Sequence, residues 1–85
     1  MDREDIRRVL SYPSLNLVHL ALELVNLKDV ERNVIDLVDI RGYTQEQTAT
    51  KLDCSVKTVQ NHRNKAFNKM SKCWKNDIAI KKLLE

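Results

Sequence analysis

The side chains with the most chemistry to offer lie between Thr44 and Lys65. Lys57, Gln60, Asn61, Asn64 and Lys65 recur at intervals of three and four, the spacing that gathers residues on one side of an α-helix. A carboxamide can bond bidentately to an adenine edge, and a lysine reaches guanine acceptors or phosphate. Hydroxyls and backbone N–H groups at a helix start bind phosphate, and Thr44, Ser55 and Thr58 supply such hydroxyls. Lys57, Gln60, Asn61 and Asn64 are therefore assigned to base edges or nearby backbone, and Thr44, Ser55, Thr58 and Lys65 to phosphates. The inventory for catalysis is poorer. No histidine, cysteine and carboxylate set has the spacing of a nucleophile with its base, and no glycine-rich phosphate loop exists. Cys54 and Cys73 lack the CxxC spacing of a zinc site. The sequence thus points to no enzyme, metal or cofactor.

For those residues to share a face, residues 42–62, GYTQEQTATKLDCSVKTVQNH, must form a helix, a tight turn and a second helix. Thr44 with Gln47 makes a T-x-x-Q capping box for the first, which runs to about Leu52. The chain turns at Asp53-Cys54, and Ser55 caps a helix that continues to around Lys72 or Trp74. A helix-turn-helix needs a small residue midway through its first helix, an apolar residue near that helix's end, a turn residue tolerating φ > 0 and an apolar anchor in the second helix. Ala49, Leu52, Asp53 and Val59 fill those places, and Asp is among the non-glycine residues that most readily visit the left-handed region. Cys54 is expected to point inward as a small apolar side chain. Along the second helix Val59, Ala66, Phe67, Met70, Cys73 and Trp74 share the inner side. Asn68 and Lys72 prolong the polar one, and a helix of this length is expected to project beyond a compact core.

The preceding residues read as support. Ile6, Val9 and Leu10 mark a first helix with acids in its first turn, and Pro13 stops it. Ser14 caps the run at residues 15–27, in which Asn16, His19, Glu23 and Asn26 fall within an arc of about 80° and apolar residues cover the rest. Such a helix is expected to be buried on more than one side. It is the central helix of the fold, or its surplus face, with Leu17, Leu20, Leu24 and Leu27, makes a homodimer or binds a protein partner. His19, in the polar stripe, reads as solvated or capping. In residues 27–42 Val30, Val34, Leu37 and Val38 form a stripe with Arg32, Asp36 and Asp39 opposite, and Arg41 and Gly42 close the helix. At the far end Asn76 is placed to cap a last short helix through Leu84, with Ile78, Ile80, Leu83 and Leu84 as its apolar residues.

Composition sets the outer bounds. A chain of 85 residues is one small domain, and a single Gly and a single Pro favour helices joined by short connections over a sheet. The fold class expected is all-α, a small bundle of about five helices containing a helix-turn-helix with a long recognition helix. The net charge of +3 is unevenly spread. Residues 1–42 hold 6 Lys and Arg against 8 Asp and Glu, a balance of −2, and residues 43–85 hold 9 against 4, a balance of +5. The second half is the one suited to a polyanion. The longest apolar run, residues 15–27, is interrupted and too short to span a bilayer, and no targeting peptide is evident, so the expected setting is cytoplasmic with reduced thiols.

Residues 42–70 resemble the helix-turn-helix shared by sigma-factor region four and the LuxR-type regulators. The likeness is carried by GYT, by Ala49 and Leu52, by S-x-x-T-V-x-x-H over residues 55–62 and by AFNKM over residues 66–70. The preceding L-x-x-x-E-R-x-V-I of residues 27–35 resembles the helix that leads into that motif in both groups. Three positions depart from the shared pattern. Thr48 stands where Ile or Val is usual, which would weaken the core beneath the first helix. Arg63 stands on the apolar side in place of Leu and must snorkel or find an acid such as Asp36 or Asp39. Lys28 replaces the usual small capping residue ahead of Glu31 and Arg32.

The resemblance implies contact with double-stranded DNA and with RNA polymerase. The aromatic-rich region that melts promoters in complete sigma factors has no counterpart here. A freestanding region-four-like protein is expected to bind duplex DNA and recruit or redirect polymerase without opening DNA, as small regulators of phages and mobile elements do. The reading is a sequence-specific transcription regulator; the alternative is a DNA-packaging or assembly module, like a small terminase subunit, using the same motif with low specificity. The parts expected are supporting helices over residues 1–41, the helix-turn-helix with its extended recognition helix over 42–75 and a short helix over 76–85, all one domain.

Overall fold

The computed structural model describes all 85 residues, and every regular element in it is helical. In chain order these are α1 (Arg3–Leu10), α2 (Leu15–Glu23), α3 (Asp29–Ile35) running directly into a π-helical turn (Asp36–Ile40), α4 (Gln45–Lys51), α5 (Val56–Trp74) and α6 (Ile78–Leu83). No helix is long and apolar enough to cross a membrane. The chain divides into two compact units, one of Met1–Asn26 with Phe67–Glu85 and one of Leu27–Ala66. Helix α5 contributes residues to both.

The first unit contains α1, α2, the end of α5 and α6. Asp2 caps α1 by accepting from the Asp5 N–H at 2.8 Å, and the helix ends ahead of Pro13 as its ring requires. Ile6, Val9 and Leu10 are all buried. Ser14 caps α2, with the Leu17 N–H donating to its Oγ. The helix stops at Glu23, short of the run through Leu27 that the apolar pattern suggested. A limit on the run lies downstream, where Lys28 must be extended (φ −68°, ψ 154°) to start α3 and Glu31 holds it so by accepting its N–H at 2.9 Å. A helix cannot continue into a residue with that conformation.

Burial on α2 also differs from expectation. Val18, Ala21 and Leu22 are buried, whereas Leu15, Leu17, Leu20 and Leu24 lie between 40% and 59% exposed. The helix is covered on one side only. Near the end of α5, Phe67, Met70 and Trp74 are buried, and the indole N–H of Trp74 donates to the Ala21 carbonyl at 3.0 Å. That part of α5 does not project; it supplies large core side chains to this unit. Cys73, expected inward, is exposed, its thiol 3.1 Å from the Leu24 carbonyl. The cap of α6 is Asp77 and not Asn76, its carboxylate accepting from the Ile80 N–H at 3.0 Å. This register buries Ile80 and leaves Ile78 73% exposed.

The second unit is built from α3, the π turn, α4 and the first part of α5. Val34, Ala49 and Val59 form its core cluster, with Val38, Leu52, Cys54 and Val56 packed against it. Val30, placed by periodicity on the inner stripe, is 37% exposed, and Glu31 and Ile35 are buried instead. In the π turn the Arg41 N–H bonds the Asp36 carbonyl, five residues back, at 2.9 Å. The wider turn shifts the register of everything after it relative to a regular α-helix. Asp39, expected on the solvated side, is thereby turned inward, its side chain only 8% exposed.

Candidate nucleic-acid interface

All eight residues assigned to DNA lie in the unit Leu27–Ala66, with Thr44 at the N-cap of α4, Ser55 in the turn before α5 and the other six on α5. The local signals that position them act as the sequence indicates. Gly42 takes φ +79°, which ends the preceding element in the left-handed region. Thr44 and Gln47 form a reciprocal capping box, the Gln47 N–H reaching Thr44 Oγ1 at 3.0 Å and the Thr44 N–H reaching Gln47 Oε1 at 2.9 Å. Asp53 makes the turn with φ 55°, and the Cys54 N–H returns to the Ala49 carbonyl at 2.9 Å. Ser55 then accepts the Thr58 N–H at 3.1 Å, and the two hydroxyls bond each other at 2.9 Å. Their caps hold Thr44, Ser55 and Thr58 at helix starts, where hydroxyls and N–H groups suit phosphate.

Lys57, Gln60, Asn61, Asn64 and Lys65 are exposed, as is Asn68 in the next turn. Val59, Ala66 and Phe67 on the inner side are buried. The polar row is therefore a real face of α5 and not only a pattern in the sequence. Its roll about the helix axis is set by two kinds of anchor. One is Val59 in the core cluster. The other is Arg63, whose Nε and Nη2 donate to the two carboxylate oxygens of Asp39 at 3.0 and 2.7 Å. With side chains 12% and 8% exposed, this forked pair is nearly dry. Of the two acids that could have met Arg63, the π turn delivers Asp39, while Asp36 pairs with Arg41 at 3.0 Å.

Two further residues join the surface without having been singled out by sequence. Gln45, at the start of α4, accepts from the Gln60 side-chain amide at 3.0 Å. The bond ties one of the side chains assigned to a base edge to the start of α4. Lys51 lies over the Tyr43 ring at 5.6 Å. Neither relation has a spacing signal, because each depends on how α4 crosses its neighbours. Electrostatically α5 contains no acidic residue, and Asp39 neutralises Arg63. The positive field along the helix thus comes from Lys57, Lys65, Lys69 and Lys72.

A model of one protein family, described as Sigma-70, region 4, matches residues 24–72. The chain belongs to the sigma-70 region 4 family. Region 4 is a helix-turn-helix DNA-binding domain, and the match takes in the whole unit Leu27–Ala66 together with the rest of α5 almost to Trp74. Comparison with curated proteins and with solved structures gave no match.

Within this region 4 domain each departure from the usual pattern has a structural answer. Thr48 is fully buried, and its Oγ1 donates to the Thr44 carbonyl at 2.9 Å, so the hydroxyl enters the core satisfied. Arg63 has Asp39. Lys28 lends only its backbone to the cap, and Glu31 supplies the closing bond from the far side.

Proposed function

We propose that this region 4 protein is a sequence-specific transcription regulator that lays α5 in the major groove of duplex DNA and acts through RNA polymerase. Lys57, Gln60, Asn61 and Asn64 read base edges or the adjacent backbone, and Thr44, Ser55, Thr58 and Lys65 grip phosphates. The observation that carries this reading is the exposed amide and lysine row on α5, backed by the dry Arg63–Asp39 pair. A polar face without such a backing could serve solubility alone. A polar face whose roll is fixed by a buried ion pair and an apolar anchor holds its amides in one orientation, which bidentate recognition of a base requires. Membership of the sigma-70 region 4 family supports the polymerase partner, since sigma factors act at promoters together with that enzyme.

The test is selection of bound sites from random duplexes, followed by titration of the recovered site. Gln60→Ala with Asn61→Ala lowers affinity for that site alone, by about 1–3 kcal/mol per bidentate contact, roughly five- to 150-fold. Lys65→Ala weakens all duplexes alike and reduces the salt slope by about one. Weak, indiscriminate binding by the parent, with the chain in a ring-sized assembly, refutes the regulator and favours packaging.

A further inference from the structure

We infer that two copies of this chain pair through the groove that α2 and α6 enclose in the unit of Met1–Asn26 and Phe67–Glu85. The groove has a volume of about 450 Å³. Leu17 and Leu20 of α2 with Leu24, its C-cap, form one wall, Ala79 and Leu83 of α6 the other, and Ala21 and Ile80 lie along it. Leu20 and Leu24 are 59% and 55% exposed, and Leu17 40%, so the wall is a ridge in water. Leu27 takes no part; it is half-buried and belongs to the other unit.

The occupant is identified by the spacing of that ridge. A hydrophobic groove between helices accepts an amphipathic helix presenting anchors at i, i+3 and i+7. Leu17, Leu20 and Leu24 have that spacing. One helix therefore forms a wall of the groove and also carries the ridge that fills such a groove. A surface holding both halves of a fit is self-complementary, which is the condition for a two-fold interface in which each copy gives and receives the same residues. Charge is compatible with this. Glu23 is the one ionisable side chain lining the groove, and on α6 the exposed Lys82 stands next in sequence to the lining residue Leu83, so α2 and α6 bring opposite charges to the interface. A stable interface takes ~800 Å² from each partner, and the apolar part of this one is confined to three leucines and the groove beside them. The dimer proposed is a weak one, with a dissociation constant on the order of micromolar.

The pairing needs no DNA and is measured without it. Sedimentation equilibrium of the full chain from about 0.1 to 100 µM, a range that brackets that affinity, shows the mass rising from 9.9 kDa toward its double. Leu20→Glu, at an exposed position, preserves the far-UV circular dichroism and the Trp74 emission and weakens association at least tenfold. Ile78→Glu, more exposed still but outside the groove, leaves association unchanged. A chain that stays monomeric throughout, a Leu20→Glu variant that pairs like the parent, or an Ile78→Glu variant as damaged as Leu20→Glu overturns the proposal. So does a monomer that binds a polymerase subunit through Leu20, because the groove then belongs to another protein. Site-specific DNA binding could survive each of those results.

Discussion

The Arg63–Asp39 pair is the point at which folding energy and recognition meet most directly. Arg63→Leu restores the residue usual at this position in the pattern that the sequence resembles, yet it should destabilise this protein. The substitution strands a carboxylate whose side chain is 8% exposed and which has lost two charge-assisted bonds of 3.0 and 2.7 Å. Breaking a buried pair from one side costs about 3–5 kcal/mol, most of it the desolvation of the charge left behind. A domain of 85 residues is stabilised by only ~4–13 kcal/mol in total, so the single variant loses a large share of that margin. Asp39→Ala strands the guanidinium and falls in the same range. The double variant Asp39→Ala with Arg63→Leu removes both charges and should recover to within about 2 kcal/mol of the parent, so the two single losses exceed the double by at least about 4 kcal/mol.

Urea unfolding of the four proteins, followed by far-UV circular dichroism and by Trp74 emission, checks this cycle. The second probe adds information, because Trp74 belongs to the unit of Met1–Asn26 and Phe67–Glu85 whereas the pair belongs to Leu27–Ala66. If the second unit is weakened selectively, helical signal is lost before the tryptophan signal changes. Arg63→Lys keeps the charge and loses the planar fork that meets both oxygens, and it should fall between parent and Arg63→Leu. The reasoning is refuted if the two single effects simply add, or if Arg63→Leu lies within about 0.5 kcal/mol of the parent. Either result would mean that the pair behaves like a solvated surface contact.

Two further variants test the local chemistry of the helix-turn-helix. Thr48→Val removes a buried hydroxyl whose acceptor, the Thr44 carbonyl, also receives the Thr48 N–H at 3.0 Å. No acceptor is orphaned, so the change should stay within about 1 kcal/mol of the parent in thermal unfolding, and a larger loss means that the hydroxyl has another role. At the turn, Asp53 with φ 55° should tolerate glycine with little change, while Asp53→Ala should cost about 1 kcal/mol in the same measurement. An alanine variant equal in stability to the glycine one would show that the turn is not held in the left-handed region.

What the sequence made legible is what closes over a few residues. The capping box of Thr44 and Gln47, the left-handed turn at Asp53 and the Ser55 cap are each decided by neighbours three or four positions away. The polar row on α5 was legible for the same reason, since helical periodicity alone sorts it from Val59 and Ala66. The partner of Arg63 could be narrowed to two acids but not chosen. The choice rests on the π turn, whose extra residue leaves no mark in the pattern of apolar positions. The same shift misplaced Asp39. At α2 the difficulty was of another kind. Leucine on most of a helix shows that burial is favourable but not what covers it, and within the chain only Val18, Ala21 and Leu22 are covered.

The uncovered leucines and the exposed amides belong to different units, and the two proposals are read by different measurements, one without DNA and one with it. Gln60, Asn61 and the pair beneath them fall in Leu27–Ala66; Leu17, Leu20, Leu24 and α6 fall in Met1–Asn26 with Phe67–Glu85. Substitutions without shared partners usually act additively, so Leu20→Glu combined with Gln60→Ala should show the sum of their separate effects on affinity for the selected duplex and on self-association. A departure from additivity would point to α5, which contributes Val59 to one core and Phe67, Met70 and Trp74 to the other. Coupling between pairing and DNA recognition, if measured, is therefore expected to vanish on substituting the α5 anchors and to be indifferent to the lysines on its outer face.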